Sequence, residues 1–226
     1  MQNFQDRYSL TREQNIFLAK KKMDENIYCG MQMENRNITF PQTKTILDGV
    51  NVPSVTLDDI QAVLNIRDAW RFLLDHIDEP VTLPFICKLN EFVARNEALE
   101  WGKLRTGHIG ISGVEYEPPI PVAAEAEKEL AELLSADITN TEKAIAVFLW
   151  GMRLQIFWDG NKRTSLLLAN KLLVTAGNGI LTIKENNMEQ FNNLLVSYYK
   201  GDMKDIKVFL YENAISGIDF GHLQEH

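Results

Sequence analysis

Residues 155–165, QIFWDGNKRTS, place an acid, a glycine, an amide and two cations in one tight turn between two apolar runs. The flanking runs, TEKAIAVFLWGMRL (141–154) and KRTSLLLANKLLVTAG (162–177), are nearly apolar all round. That marks helices at the buried centre of a helical domain. A turn joining two such helices is either an ordinary Asp-Gly-Asn reversal with a solvated Lys-Arg end, or a cradle for an anion. Phe157 and Trp158 anchor it in the core, where a surface turn is rarely fixed, and this favours the cradle.

Each residue of the turn suits that task. A helix start leaves backbone N–H groups unpaired, and its dipole adds partial positive charge. Gly160 lets a ligand approach the backbone closely and permits positive φ. Asn161 tolerates the same conformation and offers an amide. Lys162 and Arg163 fall in the first helical turn, where the dipole disfavours cations, so an anion is expected to compensate them. Asp159 supplies the hard oxygen that a divalent cation needs. Gln155 is the odd member, because its amide has no usable pKa near neutrality.

Working outward, helical periodicity dominates the chain. A first helix is expected over 11–34, with Thr11 as N-cap and Ile16, Phe17, Ala19, Met23 and Ile27 at helical intervals. Thr56 caps a second over 57–77, with Asp58 and Asp59 at its positive end. Further helices are expected at 82–99, 122–135, 188–201 and 203–217. Ile109–Ile111 and Val114–Tyr116, around Ser112-Gly113, read as a two-residue β-hairpin ended by Pro118-Pro119. The expectation is one all-α domain over 1–226 carrying a small hairpin.

The chain has 226 residues, 45% of them apolar, and a formal charge of −8. That is ample for a core, and the acidic balance argues against a nucleic-acid partner. Cys29 and Cys87 lack metal-ligand spacing and are too few for a disulfide framework. No stretch reaches the roughly 18 apolar residues of a membrane span. The polar start MQNFQDRYSLTREQ is unlike a signal peptide, so a cytoplasmic protein with no membrane partner is expected. His108 at the hairpin, and His76, His222 and His226 elsewhere, read as structural or without motif context. Arg67 is expected to pair with a nearby acid.

The turn closely resembles the signature of the Fic (filamentation-induced-by-cAMP) family, His-x-Phe-x-Asp/Glu-Gly-Asn-Gly/Lys-Arg. Phe157, Asp159, Gly160, Asn161, Lys162 and Arg163 match it. MENRNITFPQTKTILDG (33–49) resembles the family's N-terminal region, and WGKLRTGHIGISGVEYEPP (101–119) the stretch bearing its flap. The resemblance spans roughly 28–212, with a helical extension before it. It implies a helical domain with a hairpin flap, in which Ile109, Ile111, Gly113, Val114 and Tyr116 align a target protein by strand addition. It further implies that Gly160, Asn161 and Lys162 hold the phosphates of ATP, that Arg163 contacts the β- or γ-phosphate, and that Asp159 binds Mg²⁺. The implied activity is transfer of AMP from ATP to a protein hydroxyl; a homodimer stays open.

Three departures bear on activity. The family's proton-accepting histidine is Gln155 here, which removes general-base catalysis of roughly 10²–10⁴-fold. The expected protein is therefore weak or inactive, with a non-catalytic nucleotide- or protein-binding relative as the alternative. Lys162 replaces the commoner glycine and resembles Doc-type phosphotransferases, a second alternative. Leu166 stands where many members carry a second arginine. Glu34 falls where the family's inhibitory glutamate lies and is the candidate regulatory residue. Gly30 and Leu166 lack the groups that would accompany that role, so an ordinary polar residue at a helix end is the favoured reading.

Overall fold

A computed structural model describes residues 4–111 and 113–218. Among these, the chain forms α1 Arg12–Lys21, α2 Met23–Met33, α3 Phe40–Leu47, α4 Leu57–Asp75, α5 Leu83–Val93, α6 Ala123–Ser135, α7 Asn140–Leu154, α8 Asn161–Ala176, α9 Met188–Tyr199 and α10 Asp205–Asn213. Two short strands, β1 Ile180–Leu181 and β2 Ile215–Ser216, pair antiparallel. The all-α expectation holds, and α8 is the reason the domain coheres. It supplies Leu166, Ala169 and Leu173 to one core cluster, Leu167 and Val174 to a second, and Leu168 to a third. A helix surrounded on nearly every side buries its polar residues along with its leucines, and Arg163, Thr164, Ser165, Asn170 and Lys171 are all buried. Each fully buried leucine there contributes about 1.5–3 kcal/mol of burial free energy.

Helix starts follow the expected chemistry. The Thr11 side chain accepts from the Gln14 N–H in a capping box, and Thr56 accepts from the Asp59 N–H. The boundaries differ in four places, one of them the helix expected over 203–217, which ends at Asn213 and gives way to β2. The run expected as one helix over 11–34 breaks at Lys22, whose φ is −102°. The break lets two buried amides on separate helices reach one strand: Asn15 bonds Gly179, and Asn26 bonds the Leu181 carbonyl. The helix expected over 82–99 ends at Val93, and Asn96 beyond it takes a positive φ of 62°. Helix α3, which the periodicity did not show, starts from a second capping box, Thr39 with Gln42.

The expected hairpin is also corrected. Among the described residues 109–116 form no strand ladder; the reversal is closed by one bond, from the Val114 N–H to the Ile111 carbonyl, 3.2 Å. Gly113 has a φ of +81° in this turn, and Ser112 lies outside the described residues. The strand-like alternation survives as burial: Ile109, Ile111, Val114 and Tyr116 are half-buried while Gly110, Gly113, Glu115 and Glu117 are exposed. Packing on the helices therefore decides the conformation here. An isolated two-stranded ribbon is marginal in water, and Gly110 adds no cross-strand contact. His222 and His226 also lie outside the described residues.

Candidate functional site

The loop 155–160 is held by its own residues and by α5. Asn161 accepts from the Phe157 N–H (2.9 Å) and donates to the Phe157 carbonyl (2.8 Å). Its side chain is therefore spent on closing the loop, contrary to the expected free donor. Asn90 of α5 donates to the Asp159 carbonyl (3.0 Å) and the Thr164 hydroxyl (3.2 Å), and accepts from the Gly102 N–H (2.9 Å). It is fully buried. Sequence reading missed Asn90, and a polar residue in the apolar stripe of α5 was the available signal. Gly160 has a φ of +72°, and a Cβ there would stand 2.8 Å from Val93 Cγ1. Both the conformation and the space demand glycine.

The start of α8 keeps the feature an anion needs. The N–H groups of Asn161, Lys162 and Arg163 have no hydrogen-bond partner among the described residues, the first intrahelical bond being Thr164 N–H to the Gly160 carbonyl, 2.8 Å. The two cations behave otherwise than expected, because their compensating anions come from the protein. Lys162 donates to the Met33 carbonyl at 2.8 Å and lies 3.7 Å from Glu34. Arg163, only 1% exposed, bonds both oxygens of Glu97 at 2.9 and 3.0 Å. Its Nε stands 3.4 Å from Glu34 and its Nη2 3.4 Å from Asp159. Burial opposes the charge on Arg163, but Glu34, Glu97 and Asp159 outweigh it and hold its pKa above the ordinary value.

Glu97 is the residue that sequence reading did not single out. The early end of α5 and the turn at Asn96 bring it inward, where Arg36 (2.6 Å) and Asn65 (2.9 Å) hold it as well. Arg36 in turn bonds Asp59 at 3.1 Å. Glu34 is likewise not the bare residue expected at a helix end, since it faces both Lys162 and Arg163. Arg67 pairs with Asp68 at 2.8 Å, as expected.

Gln155 lies on the other side of the loop. It ends α7 in the left-handed conformation, φ 48°, and its Nε2 donates to the Met152 carbonyl at 2.7 Å. The Tyr199 hydroxyl donates to the same carbonyl at 2.9 Å. Burial pushes the Tyr199 phenol well above its usual pKa, and the neighbouring Gln155 amide opposes that shift. Neither group is a proton acceptor at neutral pH. His108 is exposed at the flap entrance and bonds nothing in the loop. Of the flap residues, Tyr116 is stacked on Tyr199, with ring centroids 5.6 Å apart, and the Arg153 guanidinium sits 4.3 Å from its ring. Ile111 and Val114 pack on the same core cluster.

For a metal, Asp159 is the residue on offer. Its Oδ1 accepts from the Gly160 N–H, its Oδ2 has no partner among the described residues, and its side chain is 44% exposed. Among the described residues no group of three or more His, Cys, Asp or Glu forms a metal cage. One open carboxylate oxygen fits Mg²⁺ arriving with phosphates, because that ion is held by one or two carboxylates plus the phosphates themselves. No helix among the described residues is long and apolar enough to cross a membrane.

Residues 80–173 match the Fic/DOC family model. Proteins named protein adenylyltransferase Fic from Drosophila yakuba and Drosophila melanogaster are each 25% identical over 228 residues, covering 95% of this chain and 45% and 46% of theirs. The chain thus spans just under half the length of these relatives. Fic-1 from C. elegans superposes with a TM-score of 0.75 at 19% identity, over 87% of this chain and 62% of its own. A Fic domain containing signaling protein from Bacteroides thetaiotaomicron gives 0.72 at 19%, over 90% and 85%. The motif loop, the helical architecture and these likenesses agree: residues 80–173 match the Fic/DOC family model, within a fold shared with the solved Fic structures.

Proposed function

We propose that this chain binds the phosphates of ATP at the start of α8 and is built as a protein adenylyltransferase whose transfer step is weak or absent. The observation that carries the second half is Gln155. In AMP transfer a hydroxyl oxygen of the target attacks the α-phosphorus, the bond to pyrophosphate breaks, and the hydroxyl proton must leave to a base. Gln155 cannot take that proton, and its amide is already committed to the Met152 carbonyl. What remains is positioning and charge stabilisation, which carry most of phosphoryl-group chemistry.

The phosphate site rests on the unpaired N–H groups of 161–163 together with the dipole of α8. Asp159 would hold Mg²⁺, which supplies neutralisation of phosphate charge when bound. Gly160 permits the close approach. Phosphates meet competition, because Glu34 already faces Lys162 and Arg163, and Glu97 holds Arg163. A regulatory role for Glu34 follows directly from that competition. The partner is a protein hydroxyl presented along the flap, where the main-chain groups of Ile109, Gly110, Glu115 and Tyr116 have no hydrogen-bond partner among the described residues and suit strand addition. A cytoplasmic location accords with this reading.

The test has two steps. Titration calorimetry with Mg-ATP asks whether the phosphate site binds; no heat at millimolar nucleotide would refute the cradle. Incubation of the Gln155→His variant with ATP labelled at the α- or γ-phosphate then asks about chemistry. Label from the α-position, raised roughly 10²–10⁴-fold over the natural protein, is the expected result for a restored base. Label from the γ-position alone would assign a Doc-like phosphotransfer, and substantial α-labelling by the natural protein would refute the loss of transfer.

A further inference from the structure

Arg105, in the segment between α5 and the flap, is 1% exposed, and its partners are main-chain carbonyls, with no carboxylate among the described residues. Its Nε donates to the Gln155 carbonyl at 2.6 Å. Its Nη1 donates to the Gly107 carbonyl at 2.6 Å. Its Nη2 donates to the Pro118 carbonyl at 3.1 Å, to that of Pro119, and more distantly to that of Leu154 at 3.5 Å. The Arg105 N–H adds a bond to the Ile156 carbonyl, 3.0 Å. A buried cation without hydrogen bonds would be prohibitively costly, and these carbonyls replace the water it has lost.

The arrangement of those partners is informative. Gly107 is the entrance to the flap and Pro118-Pro119 its exit, while Leu154 and Gln155 are the end of α7 and the start of the motif loop. The flap has no ladder to hold it; Ile111, Val114 and Tyr116 pack on a core cluster shared by α7 and α9, Tyr116 against Tyr199 and Arg153. We propose that Arg105 is the positioning residue that fixes the flap relative to residue 155, one guanidinium gathering both flap ends and the end of α7. Flap and motif loop then move as one piece, and a target segment laid on the flap arrives at a set distance from residue 155. Lysine cannot replace it, because a single ammonium lacks the rigid, planar set of donors that reaches three backbone directions at once.

The purpose of this clamp rests on the proposed function, but its test needs no nucleotide. If ATP fails to bind, the clamp can still stand, and if the clamp fails, the phosphate site can still bind. A glutamyl endopeptidase cuts after Glu115, exposed in the flap, while the bond after Glu117 is protected by Pro118; Glu127, exposed on α6, is the internal reference. In the full chain, Arg105→Met is expected to speed the flap cut after Glu115 at least roughly tenfold, since proteolysis tracks the open population, with the cut after Glu127 unchanged. Exchange of the Gln155 amide, hydrogen-bonded to Gly151 at 3.1 Å, should accelerate in the same variant while mid-α7 amides do not. A role confined to the flap would leave that amide unmoved. Arg105→Lys keeps the charge and the stem and should still cut faster than wild type. Flap cleavage at the wild-type rate in Arg105→Lys, or equal acceleration at Glu127, would overturn the proposal. The lysine variant carries the test if the methionine variant does not fold.

Discussion

Replacing Glu97 by alanine tests how the site stabilises its own cations. Arg163 is 1% exposed, so water cannot take over the charge that Glu97 now meets with two bonds. Removing one partner of a buried pair costs about 3–5 kcal/mol, because the other charge is left buried. Glu34 and Asp159, each 3.4 Å from the same guanidinium, retain part of the compensation and place the cost near the lower end. Arg36 adds little, since it is a quarter exposed and keeps Asp59. Asn65 keeps the Arg95 carbonyl. The expected loss is about 3 kcal/mol, or about 6–12 °C in thermal midpoint at the 2–4 °C per kcal/mol typical of this chain length. Urea unfolding with an unchanged slope would measure it. The double variant Glu97→Leu with Arg163→Met should recover most of the loss, because apolar replacement of a whole buried pair is often neutral. A single-variant loss under about 1 kcal/mol, or a double variant no better than Glu97→Ala, would refute the reasoning.

Two further outcomes follow from the same geometry. Gly160→Ala should lower stability by about 1–2 kcal/mol from its positive φ alone, and more from the contact with Val93, and should weaken any ATP binding seen by calorimetry. Wild-type affinity in that variant would separate the loop's backbone from the phosphate site. Burial lowers the Lys171 pKa from its ordinary 10.5 to about 8. The folded state therefore holds fewer protons than the unfolded state between pH 8 and 10.5, and this group makes stability rise with pH across that window. The Cys87 and Cys29 thiols, pushed by burial up to about 11 and about 12, pull the other way above pH 9. The difference between wild type and Lys171→Met isolates the lysine; a difference that stays flat from pH 8 to 10 would sink this account.

Much of the fold was legible because its signals are local. Thr11 and Thr56 cap the helices they were expected to cap, and the apolar segments within α7 and α8, residues 144–152 and 166–169, announced the centre. The kink at Lys22 carries no proline or glycine, and its cause is docking onto a strand more than 150 positions away. Two-residue strands leave no period to detect. At the site, the loop's turn chemistry was readable from Asp-Gly-Asn, and so was the need to compensate Lys162 and Arg163. The partners were not, because Glu97 lies 66 positions from Arg163, beyond a helix end that the apolar pattern overran. The flap's alternation was real, but tertiary packing used it for burial without a ladder.

The asparagines that meet β1 set an order of assembly. Asn15 and Asn170 each give both amide ends to main-chain groups, of Gly179 and Leu181 respectively, and Asn26 gives its amide to the Leu181 carbonyl. Asn15 and Asn26 stand 164 and 155 positions from those partners. Helices α7 and α8, by contrast, are joined by six residues, 155–160. Contacts of great sequence separation form late, because loop closure must precede their reward. The α7–α8 hairpin can therefore condense as a nucleus while α1 and α2 still lack their permanent partner. During synthesis those first helices leave the ribosome more than 150 residues before the strand that fixes them. The motif loop is in this sense an early structure, and the docking of α1 and α2 onto residues 179–181 comes after it.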